Sequence, residues 1–162
     1  MMQTFKTIKI QDRSRGFTLI EILVTLVVLS IGLLGLAGLQ LNGLKSNHSA
    51  YLRSQATILT QDITDRMRAN RTVAVTGAYD IDIGEAAASA SCTGTGADCT
   101  AAGLAAADLY EWKTFLDDSL PTGDGSITRT AVGTNTLVTV VVQWDDSKGQ
   151  ADPVQLVTES LL

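Results

Sequence analysis

The feature that most constrains this chain is an uncharged run from Ile22 to Leu44 that is rich in Leu, Val and Ile. As an α-helix, with a rise of about 1.5 Å per residue, the run extends for about 35 Å. A hydrocarbon core about 30 Å thick takes about 20 mostly apolar residues to cross. The run therefore predicts a membrane-spanning helix. In a chain of 162 residues it leaves room for one modest domain and excludes a multi-domain enzyme.

The charges around this run predict its orientation. The residues before it are basic: Lys6, Lys9, Arg13 and Arg15 outnumber Asp12. Basic residues beside a span stay in the cytoplasm, so the residues after the run are expected across the membrane. Because the whole chain has a net charge of −5 and its N-terminus is basic, the exported part is strongly acidic. An acidic domain lacks the basic surface that nucleic acid needs, and we expect no nucleic-acid partner.

Three kinds of N-terminal segment fit this pattern: a secretory signal peptide, a permanent signal anchor, and a leader cut before the apolar run. A secretory signal has an apolar core of about 7 to 15 residues, which is shorter than this run, and is therefore disfavoured. Glu21 is informative because a carboxylate beside a span is costly without a cationic partner. In the uncut chain, Arg13 and Arg15 could interact with Glu21 from the interface. Cleavage between Gly16 and Phe17 would instead create an α-ammonium one helical turn before Glu21, so the anchor and the cut leader both stay open at this point.

The residues Arg15-Gly16-Phe17-Thr18-Leu19-Ile20-Glu21, followed by an apolar helix, resemble the leader and processing site of type IV prepilins. The resemblance implies that a prepilin peptidase cuts after Gly16 and that the new N-terminal residue, Phe17, is N-methylated. It also implies that Glu21 guides addition of the subunit to a growing filament. Because an unpaired charge is costly in a bilayer, we predict that Glu21 pairs with the α-ammonium of Phe17 on a neighbouring subunit.

The apolar helix is predicted to continue beyond the membrane, from about Thr18 to Asn70, because no proline precedes Pro121. An apolar face recurs at helical spacing, formed by Leu41, Leu44, Leu52, Ala56, Leu59, Ile63 and Met67. Major pilins often have a helix-breaking proline near Gly38, and this chain differs from them there. Glycines in the run weaken a helix in water but permit close packing in lipid: Gly32, Gly35, Gly38 and Gly43.

The predicted end of this helix is rich in arginine. Arg66, Arg68 and Arg71 suit the negative C-terminal end of a helix dipole. The same stretch, residues 65–71, closely resembles the helix end of the PilV-type minor pilins, and so does the apolar stretch 29–36. The resemblance therefore extends beyond the processing site.

A segment rich in Ala, Gly, Ser and Thr, residues 84–107, is predicted to be a surface loop with little core of its own. It contains Cys92 and Cys99, and two cysteines in an exported chain favour a disulfide. In the chain-entropy model, a disulfide that closes this short loop stabilises the folded chain by about 2.5 kcal/mol. The spacing is not that of a CxxC redox centre, and a zinc site lacks ligands because His48 is the only histidine.

The remaining residues are predicted to form a helix and a small antiparallel sheet. Residues 108–111 look like the capped start of a short helix that Pro121 ends. Patterns of apolar residues predict strands at 126–132, 136–144 and 153–160, with a turn at 145–149. The order of these elements, together with Trp112, Gly125 and Trp144, also resembles the PilV-type minor pilins.

The sequence offers no catalytic arrangement and no metal site. A Ser-His-Asp or Cys-His arrangement would have to use His48, which lies on the predicted helix. The acids of residues 80–85 and 145–152 lack the spacing of a calcium loop, and no glycine-rich phosphate loop is present. We therefore predict no catalytic residue, no metal, no cofactor and no enzymatic activity.

Patterning and resemblance together predict an α+β protein with the type IV pilin fold, in which the C-terminal half of a long helix packs against a small antiparallel sheet. The expected domains are a prepilin leader at 1–16, a transmembrane and filament-core helix at 17–44, and an exported head at 45–162. The head contains the continuation of the helix to about residue 70, the loop and the sheet. The resemblance implies a minor pilin of the type IV pilus that takes part in its initiation and assembly.

The implied partners are prepilin peptidase, other minor and major pilins, the inner-membrane assembly platform and the lipid bilayer. The implied location is the inner membrane with the head in the periplasm, and then the pilus at the cell surface. Two alternatives stay open. One is a pseudopilin of a type II secretion system, which shares the N-terminal signal, and the other is a signal-anchored periplasmic binding domain that retains residues 1–16.

Overall fold

The computed structural model describes residues 16–92 and 99–162. Within these ranges the helices and strands are α1 Leu19–Ala69, α2 Arg71–Ala74, α3 Ala101–Ser119, β1 Asp124–Val132, β2 Asn135–Trp144 and β3 Val154–Leu161. The predicted leader, apart from Gly16, lies outside the described residues. The chain divides into two compact units, the first ending at Leu44 and the second spanning Lys45–Leu162.

Helix α1 is the long N-terminal helix that the sequence predicts, and its bounds differ from the predicted ones by one residue at each end. In the first unit every described residue is exposed. These residues include Leu41 and Leu44, which lie at helical spacing on the predicted apolar face but in the segment predicted to span the membrane. Within the described chain, the core includes α1 residues only from Leu52 onward.

The second unit, Lys45–Leu162, has a core formed by α1, α3 and the inner face of the sheet. The main contributors are Leu52, Ala56, Leu59, Ile63 and Met67 from α1, Leu109, Trp112 and Leu116 from α3, and Val138, Val140, Val142 and Trp144 from β2. The Trp112 indole N–H also donates a 3.1 Å hydrogen bond to the Leu59 carbonyl. This bond satisfies a buried polar group and holds α3 against α1.

Helix α3 begins earlier than the sequence predicts. Its N-cap is Thr100, whose hydroxyl accepts a 3.1 Å hydrogen bond from the Gly103 amide. Residues 101–107 are therefore helical and not part of a loop, and Asp108 lies inside the helix instead of capping it. The physical reason is that alanine, which dominates residues 101–107, has the highest helix propensity and follows a capping threonine here.

The strands form an antiparallel sheet in the order β1-β2-β3. Strand β2 is central, and its inner face is buried at alternate residues, as its apolar pattern predicts. The turn to β3 is organised by Asp145, whose carboxylate accepts hydrogen bonds from the Ser147 hydroxyl and from the amides of Ser147 and Gly149. The predicted combination of a long helix with a small antiparallel sheet is confirmed.

Candidate functional site

The residues of the predicted processing motif lie at the start of α1. Thr18 caps the helix: its hydroxyl accepts a 3.3 Å hydrogen bond from the Glu21 amide, and its carbonyl accepts bonds from the amides of Glu21 and Ile22. Thr18 and Glu21 have the spacing of a capping box, a sequence signal that the motif interpretation did not use. Helix α1 therefore begins at Leu19, directly after its cap Thr18.

The peptide bond between Gly16 and Phe17 is accessible. Gly16 is exposed, and the Phe17 side chain is 79% exposed. Residues 16–18 precede the helix and have no regular secondary structure. A peptidase needs an accessible backbone outside a helix, and the bond after Gly16 meets that requirement.

The Glu21 carboxylate lies in the first turn of α1, where the positive end of the helix dipole favours an anion. Among the residues that the structure describes, no cation forms an ion pair with it. Glu21 shares an open, mostly apolar groove with Phe17, Ile22, Thr25 and Leu26. In lipid, a carboxylate in such surroundings is costly unless a cation approaches it.

Helix α1 is long and apolar enough to cross a membrane: an 18-residue window has a mean hydropathy of 2.6 and no buried part. Its hydroxyl groups are satisfied inside the helix, since Thr25 donates to the Glu21 carbonyl and Ser30 to the Leu26 carbonyl. A lipid environment requires such internal satisfaction. A Cβ atom added at Gly32, Gly35, Gly38 or Gly43 meets nothing within 4 Å. This helix surface is therefore open to lipid or to other helices.

A polar network joins the end of α1 to α3. Arg66 donates hydrogen bonds to Asp62 on its own helix at 2.9 Å, and to Asp108 and Glu111 on α3 at 3.1 and 2.7 Å. The arginine-rich helix end thus cross-links two helices, whereas the sequence interpretation gave it only a role at the helix dipole. A signal was present in the sequence, because Asp108 and Glu111 are spaced to lie on one face of a helix.

The other oxygen of Asp108 accepts a 2.6 Å hydrogen bond from the Tyr79 hydroxyl. Asn70, the residue after α1, donates to that hydroxyl at 3.2 Å and to the Ala101 carbonyl at 2.7 Å. Tyr79 is 1% exposed and Asp108 is 7% exposed, so the network is largely shielded from water. It closes the C-terminal end of α1 against the start of α3.

The pKa values of Tyr79 and Arg66 in this network are both raised. Burial and the hydrogen bond to Asp108 raise the pKa of Tyr79. Partial burial on its own lowers the pKa of Arg66, but hydrogen bonds to Glu111 and Asp108 outweigh it and raise that pKa. Both residues therefore keep their protons at neutral pH, and a single cation faces the carboxylates of Asp62, Asp108 and Glu111.

The two cysteines are joined. Cys92 and Cys99 form a disulfide with a Cα–Cα distance of 5.8 Å, which confirms the predicted pairing. The residues between them, 93–98, lie outside the described residues. Gly94 and Gly96, which the sequence places in this closed loop, are among them.

The other candidate residues are not assembled into a site. His48 is exposed on α1. Asp80 pairs with Arg129 at 2.8 Å, and Glu85 accepts a 3.1 Å hydrogen bond from the Asp82 amide. In the described ranges, no group of three or more His, Cys, Asp or Glu side chains is arranged to hold a metal ion. These acids instead hold the segment before β1 in place.

Two family models match the chain on adjoining segments. Residues 11–37 match the prokaryotic N-terminal methylation motif, and residues 38–110 match type IV pilin Tt1218 of the Tt1218-like family. No match was found among curated proteins or among solved structures. With the long helix and the three-stranded antiparallel sheet, these matches support a type IV pilin with an N-terminal methylation motif.

Proposed function

We propose that this protein is a minor pilin that is stored in the inner membrane and added to the type IV pilus during its initiation. The main support for the proposal is the exposed apolar part of α1, most of which lies within the segment that matches the methylation motif. Apolar side chains at Leu26, Ile31 and Leu36 are all more than half exposed. Such a surface needs lipid or neighbouring helices around it, and a filament core of packed helices provides the second.

The mechanism is physical. Prepilin peptidase cuts between Gly16 and Phe17, and methylation of the new N-terminus leaves a cation at Phe17. Glu21 has no cationic partner among the described residues of its own chain, so an incoming ammonium group on a neighbouring subunit is its natural partner. Transfer of α1 from lipid to the filament core then keeps the apolar surface covered while the charges of Glu21 and Phe17 pair.

The minor, PilV-type assignment is supported by the resemblance of residues 29–36 and 65–71 to that group. The partners we propose are prepilin peptidase, other minor and major pilins, the inner-membrane assembly platform and the lipid bilayer. The head, residues 45–162, faces the periplasm and then becomes part of the pilus. No cofactor, metal or nucleic acid takes part, and the protein catalyses no reaction.

Mass spectrometry of the mature N-terminus tests the processing step. The expected chain begins at N-methylated Phe17. A mature protein that retains residues 1–16 would contradict the proposal and favour a signal-anchored periplasmic binding domain. Substitution of Gly16 by a bulky residue should block the cut and leave the full-length chain in the membrane.

A deletion strain tests the role in the pilus. Loss of this protein should reduce surface pili and twitching motility, and a plasmid copy should restore both. Normal pili together with a loss of enzyme export would instead identify a type II pseudopilin. A plasmid copy in which a bulky residue replaces Gly16 is the matched control, because that protein is made but not cleaved.

A further inference from the structure

Strand β3 is an edge strand whose outer side is open. It pairs with β2 on one side, and in the part of the chain that the structure describes no backbone group pairs with its other side. Backbone N–H and C=O groups on such an edge are a ready template for another strand.

The hydrogen-bond pattern identifies the open groups. Leu162, just after β3, exchanges two backbone hydrogen bonds with Thr136, at 2.9 and 3.4 Å. Bonded and non-bonded pairs alternate in an antiparallel ladder, so the even-numbered residues of β3 direct their backbone groups toward β2. The backbone groups of the odd-numbered residues therefore face the open edge: Gln155, Val157, Glu159 and Leu161.

The opposite edge of the sheet is covered. On β1, Ile127 exchanges two backbone hydrogen bonds with Ile81, at 2.9 and 3.1 Å. The same alternation applied to β1 directs the backbone groups of Ile127 outward, which agrees with this pairing. The chain thus protects one edge of its sheet with its own segment before β1 and leaves the other edge unprotected.

Strand β3 also lacks the devices that usually protect an edge. It contains no lysine, arginine or proline, and its pairing with β2 runs without a bulge from Val154 to Leu161. Natural edge strands are commonly short, charged or bulged where they must not pair. Apart from the charge of Glu159, this eight-residue edge has none of these features, so its backbone can accept another strand.

A groove runs beside this edge. Its walls are one face of α1 and the end of β3, formed by Thr57, Thr60, Gln61, Thr64, Asp65, Arg68, Thr158, Glu159 and Ser160. Most of these side chains are small and hydroxyl-bearing. Arg68 is already engaged, since it donates to Asp65 at 2.8 Å and to the Ser160 hydroxyl at 2.9 Å. An added strand would place alternate side chains in this groove.

The outer face of β3 has a different chemistry. Val157 and Leu161 are 56% and 58% exposed. Glu159 lies between them, and no cation among the described residues forms an ion pair with it. Side chains directly opposite on neighbouring strands interact, so apolar residues fit beside Val157 and Leu161 and a basic residue fits beside Glu159.

Charge argues against a second copy of this chain as the occupant. Of the 17 acids in the chain only Asp12 and Glu21 precede Lys45, whereas four of its 12 bases do. The unit Lys45–Leu162 is therefore strongly acidic, and two copies repel each other. Strand β3 contains no lysine or arginine, so pairing with β3 of a second copy would place no basic residue beside Glu159.

We propose that the open edge of β3 binds an extended segment of a partner protein as an added antiparallel strand. The segment alternates small or hydroxyl-bearing residues, which enter the groove, with residues that lie on the outer face. The outer residues are apolar beside Val157 and Leu161, and Lys or Arg beside Glu159. This inference rests on the unit Lys45–Leu162 alone and does not depend on the proposed role in the pilus.

Amide hydrogen exchange of the full chain in detergent micelles tests the proposal, with the amidated peptide Thr-Val-Thr-Lys-Thr-Val-Thr-Gln-Thr as the probe. Exchange at Val157 and Glu159 should slow by about tenfold or more when the peptide is added. Exchange at Leu156 and Thr158 should not change, because their amides are already bonded to β2. Unchanged exchange at the odd-numbered residues in excess peptide would overturn the proposal. Slowing that appears without peptide and grows with protein concentration would overturn it in favour of self-pairing.

Variants of β3 test the roles of the open backbone groups and of Glu159 separately. Val157→Pro removes one donor from the open edge and no bond to β2, so peptide affinity should fall by about tenfold while the fold is kept. Val157→Thr is the matched control and should bind normally. If Val157→Pro does not fold, a charge swap decides: Glu159→Lys should prefer the peptide in which Glu replaces Lys. Equal binding of both peptides by both proteins would contradict the assigned register.

Discussion

The Tyr79 hydroxyl donates a 2.6 Å hydrogen bond to the buried carboxylate of Asp108, and this bond joins the segment after α2 to α3. Tyr79→Phe removes the donor and leaves a buried acceptor with one partner fewer. We expect the free energy of unfolding to fall by about 1–3 kcal/mol, because an unsatisfied buried group costs that much. Urea unfolding of the full chain in detergent, followed by fluorescence, measures the change.

Tyr110→Phe is the matched control for this change. Tyr110 lies on α3 close to Asp108 but is exposed, so loss of its hydroxyl should leave the unfolding free energy almost unchanged. Equal effects of the two substitutions would show that the bond between Tyr79 and Asp108 contributes no stability.

Acid stability should depend on Asp124. Burial alone raises the pKa of this residue, but hydrogen bonds from Lys113, Gly84 and Gly125 outweigh it and lower the pKa below its ordinary value. A lowered carboxyl pKa contributes stability that is complete above the unfolded value of about 3.9 and is lost as the pH falls through the folded value. Asp124→Asn should therefore destabilise the protein near neutral pH.

The two proteins should converge in stability as the pH is lowered from about 6 to about 2, because both then have a neutral side chain at this position. Thermal unfolding across this range measures the difference. Asp118→Asn, which changes an exposed carboxylate on α3, is the control. A difference that is constant across the whole range would contradict the role of ionisation at Asp124.

Gly125 is predicted to tolerate no side chain. A Cβ atom at this position would lie 2.6 Å from Cη2 of Trp112 and 2.7 Å from the Val141 carbonyl oxygen. Gly125→Ala should therefore displace a buried tryptophan or a strand of the sheet and cost about 1–3 kcal/mol of stability. Chemical unfolding measures the loss. Ser126→Ala, at the next position of β1, adds no atom and should have little effect.

The disulfide between Cys92 and Cys99 should stabilise the fold modestly, by about 2.5 kcal/mol, because it closes a short loop in the unfolded chain. Replacement of both cysteines by serine should lower the urea midpoint accordingly. A reducing agent should lower the midpoint of the natural chain to that of the double variant and leave the variant unaffected. A natural chain that is insensitive to the reductant would contradict the prediction.

Local signals made most of the architecture predictable from the sequence. The uncharged run and the lack of proline before Pro121 predict α1, and the alternating valines of residues 138–142 predict the central strand. These signals act between residues close in the chain. The disulfide was predictable for a similar reason, because it joins two cysteines within one short segment.

Contacts between distant segments were not predictable in the same way. Asp108 has the sequence signature of a helix cap, but its carboxylate is engaged by Arg66, 42 residues earlier, and by Tyr79. The true cap, Thr100, precedes a run of alanine that resembles a loop in composition. Gly125 stands out in the sequence, but only its approach to Trp112 explains why it is a glycine.

Glu21 is the residue on which the proposed assembly mechanism can be tested most directly. Its carboxylate has no ion pair among the described residues and lies in an open apolar groove at the start of α1. Glu21→Gln keeps the size of the side chain but removes the charge that would pair with the ammonium of Phe17 on a neighbouring subunit. Processing should continue, while incorporation into filaments should fall by about tenfold or more, since the loss of 1.4 kcal/mol corresponds to tenfold.

Immunoblots of sheared pili and of membranes measure the two pools. Ser30→Ala, which changes a hydroxyl already bonded to the Leu26 carbonyl of its own helix, should be incorporated normally. Normal incorporation of Glu21→Gln would show that burial of the apolar helix alone drives assembly.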